Sequence, residues 1–337
     1  MRILILSHAF PPSIGGTETA ALTYATEFSR RGYEIVVATA TPGGIDGYIY
    51  KVVRQPSAAK LVALVLWADL VWQNNVSLRT LWPLLLIRRP VLVSHHSLPA
   101  TSGRAGLFAI IKRLVCRRCH NVFVSQWLKT FMALPGHVIP GAYDERIFRV
   151  LPGIARDRDI IFVGRLVRYK GADILIDAIA RLAARGLRVK ATVVGAGPEA
   201  GSLQAQAAAA KVSDQIAFTG YLAEAEVVEQ LNHHKIIVVP SRKEEETFGL
   251  VAVEGIACGC VVVASNSAGL PEAGGRCGLL LPHVDPDSLA DALNSLLAGP
   301  NEPMRAFRHH APDHLARFKT KRVIDEYEAI IRAMVAK

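Results

Sequence analysis

The chain has 337 residues, 51% of them hydrophobic and 20% charged, which excludes a disordered polypeptide and is long enough for two domains. No window reaches the roughly 18–20 uninterrupted apolar residues that a membrane-spanning helix needs, and five cysteines, an odd number, argue against a disulfide framework. The formal charge of +10 is confined to one half: residues 1–150 hold 17 Lys+Arg against 7 Asp+Glu, and the remainder holds 22 of each.

The first strand is predicted over residues 1–7. Its apolar run is too short for a secretory signal, so a cytoplasmic protein is expected. Pro11 and Pro12 lead to the pair Gly15 and Gly16, where backbone can approach a ligand, and a helix follows to about Arg31. Arg31-Gly32-Tyr33-Glu34-Ile35 opens the second strand, and Val93-Ser94-His95-His96-Ser97 ends a later one. The segment 106–119, from Gly106 to Cys119, has helical spacing. Leu107, Phe108, Ile110, Ile111, Leu114 and Val115 share an arc, Lys112 and Arg113 lie away from it, and Arg117 and Arg118 fall in the last turn. This fits either an interfacial helix on an anionic membrane or a core-packed helix with a solvated end. Its Cys116, Cys119 and His120 form a literal haem-attachment string, but helical patterning and the lack of an export signal make haem unexpected. No nucleic-acid-binding motif accompanies the basic excess, so no nucleic-acid partner is expected.

Ser125-Gln126-Trp127-Leu128-Lys129 and Ile139-Pro140-Gly141-Ala142-Tyr143-Asp144 follow, and residues 151–159 read as a linker. Beyond it, strands are predicted at 160–163, 189–194, 216–218, 236–239, 261–264 and 278–281. A helical pattern follows each, as in a doubly wound parallel sheet. Gly164-Arg165 ends the first of these strands and Lys170-Gly171 precedes its helix; two cations beside a helix start suit a diphosphate. Gly195-Ala196-Gly197-Pro198-Glu199 stands where a dinucleotide fingerprint would. The next strand, however, ends in Thr219-Gly220-Tyr221 without an acid for a ribose, which disfavours an oxidoreductase. Asp157 with Asp159, and Asp285 with Asp287, are literal metal-type pairs. The first lies in the linker and the second reads as a helix cap ahead of Pro286, so no metal is expected. Glu246 and Glu254 stand eight positions apart around Gly249, where a helix is predicted to begin. That junction offers two carboxylates and unpaired amides to one ligand, and carboxylates accept hydrogen bonds from vicinal hydroxyls. The last helix, from about Lys321, carries Val323, Tyr327, Ile330, Ile331 and Met334 on one face.

In this order, the segments resemble the retaining glycosyltransferases of the GT-B fold, specifically family 4 (glycosyl transferases group 1), over nearly the whole chain. The resemblance implies an α/β fold of two facing Rossmann-like domains with doubly wound parallel sheets and an interdomain cleft. Residues 1–150 would bind acceptor, 151–315 would bind the nucleotide-sugar, and a C-terminal helix in 316–337 would cross back to the first domain. It implies that Arg165 and Lys170 hold the donor diphosphate and Glu254 the ribose hydroxyls. Glu246 and the amides of Phe248, Gly249 and Leu250 would hold the transferred sugar, with Gly15, Gly16 and Gly195 also at the donor. His96, or the adjacent His95, would stand near the reacting sugar. The catalytic set so implied is His96, Glu246, Arg165 and Lys170. Gly141-Ala142, Glu254-Gly255 and Gly259-Cys260 depart from the usual family pattern in loops that shape the sugar pocket and hinge. The implied activity is retaining transfer of a hexose-type sugar, from a UDP-sugar first and GDP-mannose next; no side chain is an obvious nucleophile, so front-face transfer is expected, and since Arg165, Lys170 and helix amides can stabilise the leaving diphosphate, no metal or cofactor is expected. The acceptor would be lipid-linked or a glycan, in bacterial-type surface polysaccharide or glycolipid synthesis. A non-hydrolysing sugar-nucleotide 2-epimerase and a non-catalytic sugar-nucleotide-binding protein are the alternative readings.

Overall fold

A computed structural model of the chain describes residues 1–13, 15–44, 47–98, 105–242, 246–299 and 302–335, without the side chains of 105–109. It divides into two compact units, Met1–Ala142 with the C-terminal segment from Thr320, and Tyr143–Lys319.

The first unit is built on a seven-stranded sheet of order β3-β2-β1-β4-β5-β6-β7. These strands are β1 (Arg2–Ser7), β2 (Glu34–Thr39), β3 (Lys51–Arg54), β4 (Leu70–Asn74), β5 (Val91–His95), β6 (His120–Phe123) and β7 (His137–Val138). Every neighbouring pair is parallel. Parallel strands need crossovers, and helices on both faces then bury both sides of each strand, which is why β1 is a continuous apolar run. Ile3 and Ile5 enter one core with the helix Gly16–Arg30; Leu4 and Leu6 enter another with the helix Ala58–Trp67. The last helix, Thr320–Val335, completes the first of these cores. Its Tyr327 packs 4.8 Å from Trp72 and shares a hydroxyl hydrogen bond with Tyr24, while Arg31 pairs with Asp325 and Glu328.

The second unit has a six-stranded parallel sheet, β10-β9-β8-β11-β12-β13. Its strands are β8 (Arg158–Val163), β9 (Ala191–Val194), β10 (Ile216–Gly220), β11 (His234–Val239), β12 (Val261–Ser265) and β13 (Gly278–Leu281). The strand order matches the first six strands of the other sheet, so each unit is a doubly wound α/β layer structure. The order reverses between β1 and β4, and again between β8 and β11. Loops leaving such a reversal diverge to opposite faces and open a crevice at the strand C-termini.

Two expectations need correction. The units divide at Ala142/Tyr143 and Lys319/Thr320, not at 150 and 315. Tyr143 bridges to Lys319, and Asn232 grips Arg149 O and Leu151 N, so 143–150 and 316–319 are tied to the second unit. The fourth strand of that unit starts at His234 rather than 236. His234 looks like a break in an apolar pattern, yet it is fully buried, with its ring bonded to Gln230 O and Thr192 Oγ1. Burial pushes its pKa down to about 4, so the ring is neutral and tolerable in the core.

Candidate functional site

In the second unit, the reversal brings together the loop after β8 and the loop after β11. Gly164 and Arg165 leave β8, and the short 3-10 turn Arg168–Lys170 delivers Lys170 to the crevice. Ser241 and Glu246 follow β11. The Lys170 Nζ forms an ion pair with Glu246, and Ser241 Oγ donates to the same carboxylate at 3.2 Å. Both partners of the pair are largely buried, at 17% and 15% side-chain exposure. Arg165 is exposed and its guanidinium donates to Tyr169 Oη at 3.2 Å. The crevice therefore presents one cation tied to a carboxylate and a second open to solvent.

Two local features hold this arrangement. Gly171 has φ +75°, and a Cβ there would lie 2.1 Å from Pro240 O, so the cation loop lies directly against the end of β11. Arg242 then clamps the two loops: its guanidinium donates to both Asp173 carboxylate oxygens at 2.6 Å and to Arg168 O at 2.8 Å, and its amide donates to Tyr169 O. Gly171→Ala is expected to destabilise the protein by about 2–4 kcal/mol, because the collision is with backbone and cannot be relieved by a rotamer change; urea unfolding measures it. An unchanged midpoint would show that the loops separate easily.

Gly195 has φ +136°, and its Cβ would lie 1.9 Å from Gly164 O. A Cβ on Gly197 would meet Leu166 O at 2.3 Å. The dinucleotide-like glycines thus serve close packing of the β8 and β9 loops.

The predicted helix start at Gly249 is present, with Gly249 at φ +88° capping Leu250–Ala257. Phe248 is buried and its ring packs 5.6 Å from Phe318. Glu246 O accepts from Gly269 N at 3.1 Å, a second tie on the loop besides the Lys170 pair. Glu254 lies inside the helix, partly buried, and desolvation pushes its carboxyl up to about 7, with the Glu224 charge adding. Gly255 lets this helix lie close on the sheet: a Cβ there would come within 2.7 Å of Ile237 on β11. Glu244 and Glu245 lie outside the described residues.

In the first unit, the candidate residues again sit at strand C-termini. Gly15 caps the helix Gly16–Arg30 in extended backbone, and a Cβ on it would stand 2.7 Å from the Glu18 carboxylate. Ile14 lies outside the described residues. The adjacent histidines differ in surroundings. His95 ends β5, is buried, stacks on Phe123 at 4.8 Å and bonds Asn121 at 3.0 Å. His96 follows the strand, with its ring 5.9 Å from Tyr24. Burial lowers both, His95 to about 4 and His96 to about 3, so both rings are neutral near pH 7.

Sequence reasoning missed three residues. Asn75 (φ +58°) directly follows β4 and accepts from His96 N at 2.7 Å and Ser97 N at 3.3 Å, while donating to Thr17 Oγ1. The pair Asn74-Asn75 closing an apolar strand was the available signal. Arg242 and Asp173 had none, since their pairing spans 69 positions.

The remaining strings resolve as structure. Asp285 accepts from Asp287 N and Ser288 N as the cap of Pro286–Leu297, and Asp159 pairs with Lys235. Cys116 and Cys119 are free, and burial pushes their thiols up to about 12 and 11. Among the described residues, no group of three or more His, Cys, Asp or Glu is placed to hold a metal ion.

The sequence profile of the family described as "Glycosyl transferases group 1" matches residues 144–313. A D-inositol 3-phosphate glycosyltransferase of Corynebacterium jeikeium is 38% identical over 52% of this chain and 43% of its own. One from Catenulispora acidiphila is 31% identical over 69% of this chain and 60% of its own, so the chain spans about half the length of these relatives. A GDP-mannose-dependent alpha-(1-6)-phosphatidylinositol monomannoside mannosyltransferase of Mycolicibacterium smegmatis is 26% identical over 93% of this chain and 94% of its own. Among solved structures, Anabaena Alr3699/HepE in complex with UDP superposes with a TM-score of 0.85. It covers 99% of this chain and 100% of that one at 21% identity, which is a likeness of fold.

Proposed function

The chain belongs to the glycosyl transferases group 1 family, and from that premise we propose that it transfers a hexose-type sugar, with retention, from a nucleoside diphosphate sugar to a lipid-linked or glycan acceptor. The observation that carries this reading is the buried Lys170–Glu246 pair beside the exposed Arg165 at the strand reversal of the second unit. A diphosphate entering the crevice is the natural counter-ion for Arg165 and Lys170. When it takes over Lys170, the Glu246 carboxylate is released to accept hydrogen bonds from sugar hydroxyls. Glu254 would take the ribose hydroxyls.

In the transfer step the anomeric carbon–oxygen bond to the diphosphate breaks and its electron pair stays with the phosphate oxygen. The acceptor oxygen bonds to the same face of the anomeric carbon, and its proton passes to the leaving phosphate. Arg165, Lys170 and the amides at the start of the helix Leu250–Ala257 stabilise the developing negative charge, where preorganised electrostatics contribute most. His96, held neutral by burial, acts as a hydrogen-bond partner of the sugar rather than as a proton donor. No metal is assigned a part.

A UDP-sugar is the preferred donor. GDP-mannose is the second reading, favoured by the relative that matches 93% of the chain. A thermal-shift screen with UDP, GDP, ADP and dTDP nucleotides and their sugars, with and without EDTA, tests the proposal. Stabilisation by a UDP- or GDP-linked compound, unchanged by EDTA, is expected. Stabilisation by NAD(P) alone, or conversion of the free sugar nucleotide to its 2-epimer without acceptor, would overturn it.

A further inference from the structure

From Leu70 to Tyr143 the sequence holds nine Lys and Arg and not one Asp or Glu, so this stretch alone accounts for +9 of the formal charge. It forms the second half of the first unit's sheet and part of the helical layer over one sheet face. Leu84, Ile87 and Val115 all pack against the core that contains Leu4, Leu6, Leu61 and Val65. The turn after the 3-10 helix Trp82–Leu85 and the helix Ala105–Cys116 therefore cover the same face.

Their outer surface is apolar. Leu85 and Leu86 are 78% and 82% exposed, and Ile110 and Leu114 are 58% and 51% exposed. One exposed leucine requires no explanation, but adjacent ones held outward do. Leu86 N and Ile87 N both donate to Pro83 O, and Leu84 and Ile87 anchor the turn inward, so this is a fixed projection. Exposed cations flank it: Arg88 beside the leucines, Arg113 within the helix, and Arg117 and Arg118 after it. Arg89 pins the projection to the neighbouring helix through Val65 O and Leu66 O. The structure also corrects the sequence reading, since the helix ends at Cys116 and leaves Arg117 and Arg118 in the following turn. The side chains of Leu107 and Phe108 lie outside the described residues.

We propose that this face docks on an anionic lipid bilayer, with Leu85, Leu86, Ile110 and Leu114 entering the interface and the arginines meeting the headgroups. Aliphatic side chains among cations, without a single acid over 74 residues, suit lipid: the apolar part gains by burial and the charge by the negative surface. A nucleic acid would use the cations but leave the leucines in water. Among the described residues no helix is long and apolar enough to cross a membrane. The inference deepens the acceptor half of the preceding reading and rests on it only in naming a lipid-linked acceptor.

The test is co-sedimentation of the full chain with vesicles of phosphatidylcholine, alone or containing phosphatidylglycerol, across a salt series. Nucleotide-induced thermal shift is measured on the same preparations as an independent report on the donor site. Anionic vesicles are expected to bind at least about tenfold more protein at low salt. Leu85→Glu with Leu86→Glu should reduce that binding about tenfold or more without lowering the melting temperature, since both side chains are exposed. Equal binding to both vesicle types, or binding indifferent to the leucine changes, would overturn the proposal. So would displacement by duplex DNA whose own binding ignores those changes. Loss of nucleotide shift with intact vesicle binding would count only against the transferase reading.

Discussion

Glu254→Gln is expected to abolish stabilisation by the nucleotide donor and, in the ligand-free protein, to raise stability above pH 7. The carboxyl is raised from 4.5 to about 7, first by burial and second by the charge of Glu224. A raised acid is held more tightly protonated by the folded than by the unfolded chain. Its favourable contribution is complete below about pH 4.5 and is lost as pH rises through about 7. The ionised form then costs roughly 2–3 kcal/mol at pH 8, trimmed by the solvent contact Glu254 retains. Glutamine has no proton to lose and escapes this cost.

Binding has the opposite sign. On the proposed role of Glu254, the ionised carboxylate is the stronger acceptor for the two ribose hydroxyls, so the wild-type affinity for nucleotide should strengthen between pH 6 and 8 and the Gln variant's should be weak and flat. Thermal shifts at the two pH values read both effects. A Gln variant that keeps the full nucleotide shift would remove Glu254 from the donor site.

Lys170→Ala is expected to lower turnover by about 10²–10³-fold, the scale of removing one preorganised group from a developing oxyanion. It should also cost stability, because Glu246 is left with a largely buried charge and no Lys170 beside it. Loss of one partner of a fully buried pair costs about 3–5 kcal/mol, and this pair, with some solvent contact, should cost about 1–3. The two effects separate in a double-mutant cycle. Adding Glu246→Ala should recover much of the stability while turnover stays low. Arg165→Ala, at an exposed position, should reduce turnover with little change in melting temperature. If Lys170→Ala lost stability but kept turnover, the pair would be only a structural bridge.

The alternation of apolar runs and turn signals made both sheets legible, because period and length depend only on which residues face inward. The helix start at Gly249 was legible for the same local reason, and Asp285 declared itself a cap through Pro286. What the sequence concealed is longer in range. His234 reads as polar and is core, since its ring finds Gln230 and Thr192 only after folding. The unit boundary missed 143–150 because Tyr143 and Arg149 owe their place to Lys319 and Asn232. Lys170 and Glu246 were each readable as ligands of a diphosphate sugar, yet their mutual ion pair was not. It exists because β8 and β11 lie side by side at the strand reversal, and strand order is settled by the packing of the whole sheet rather than by any segment of it.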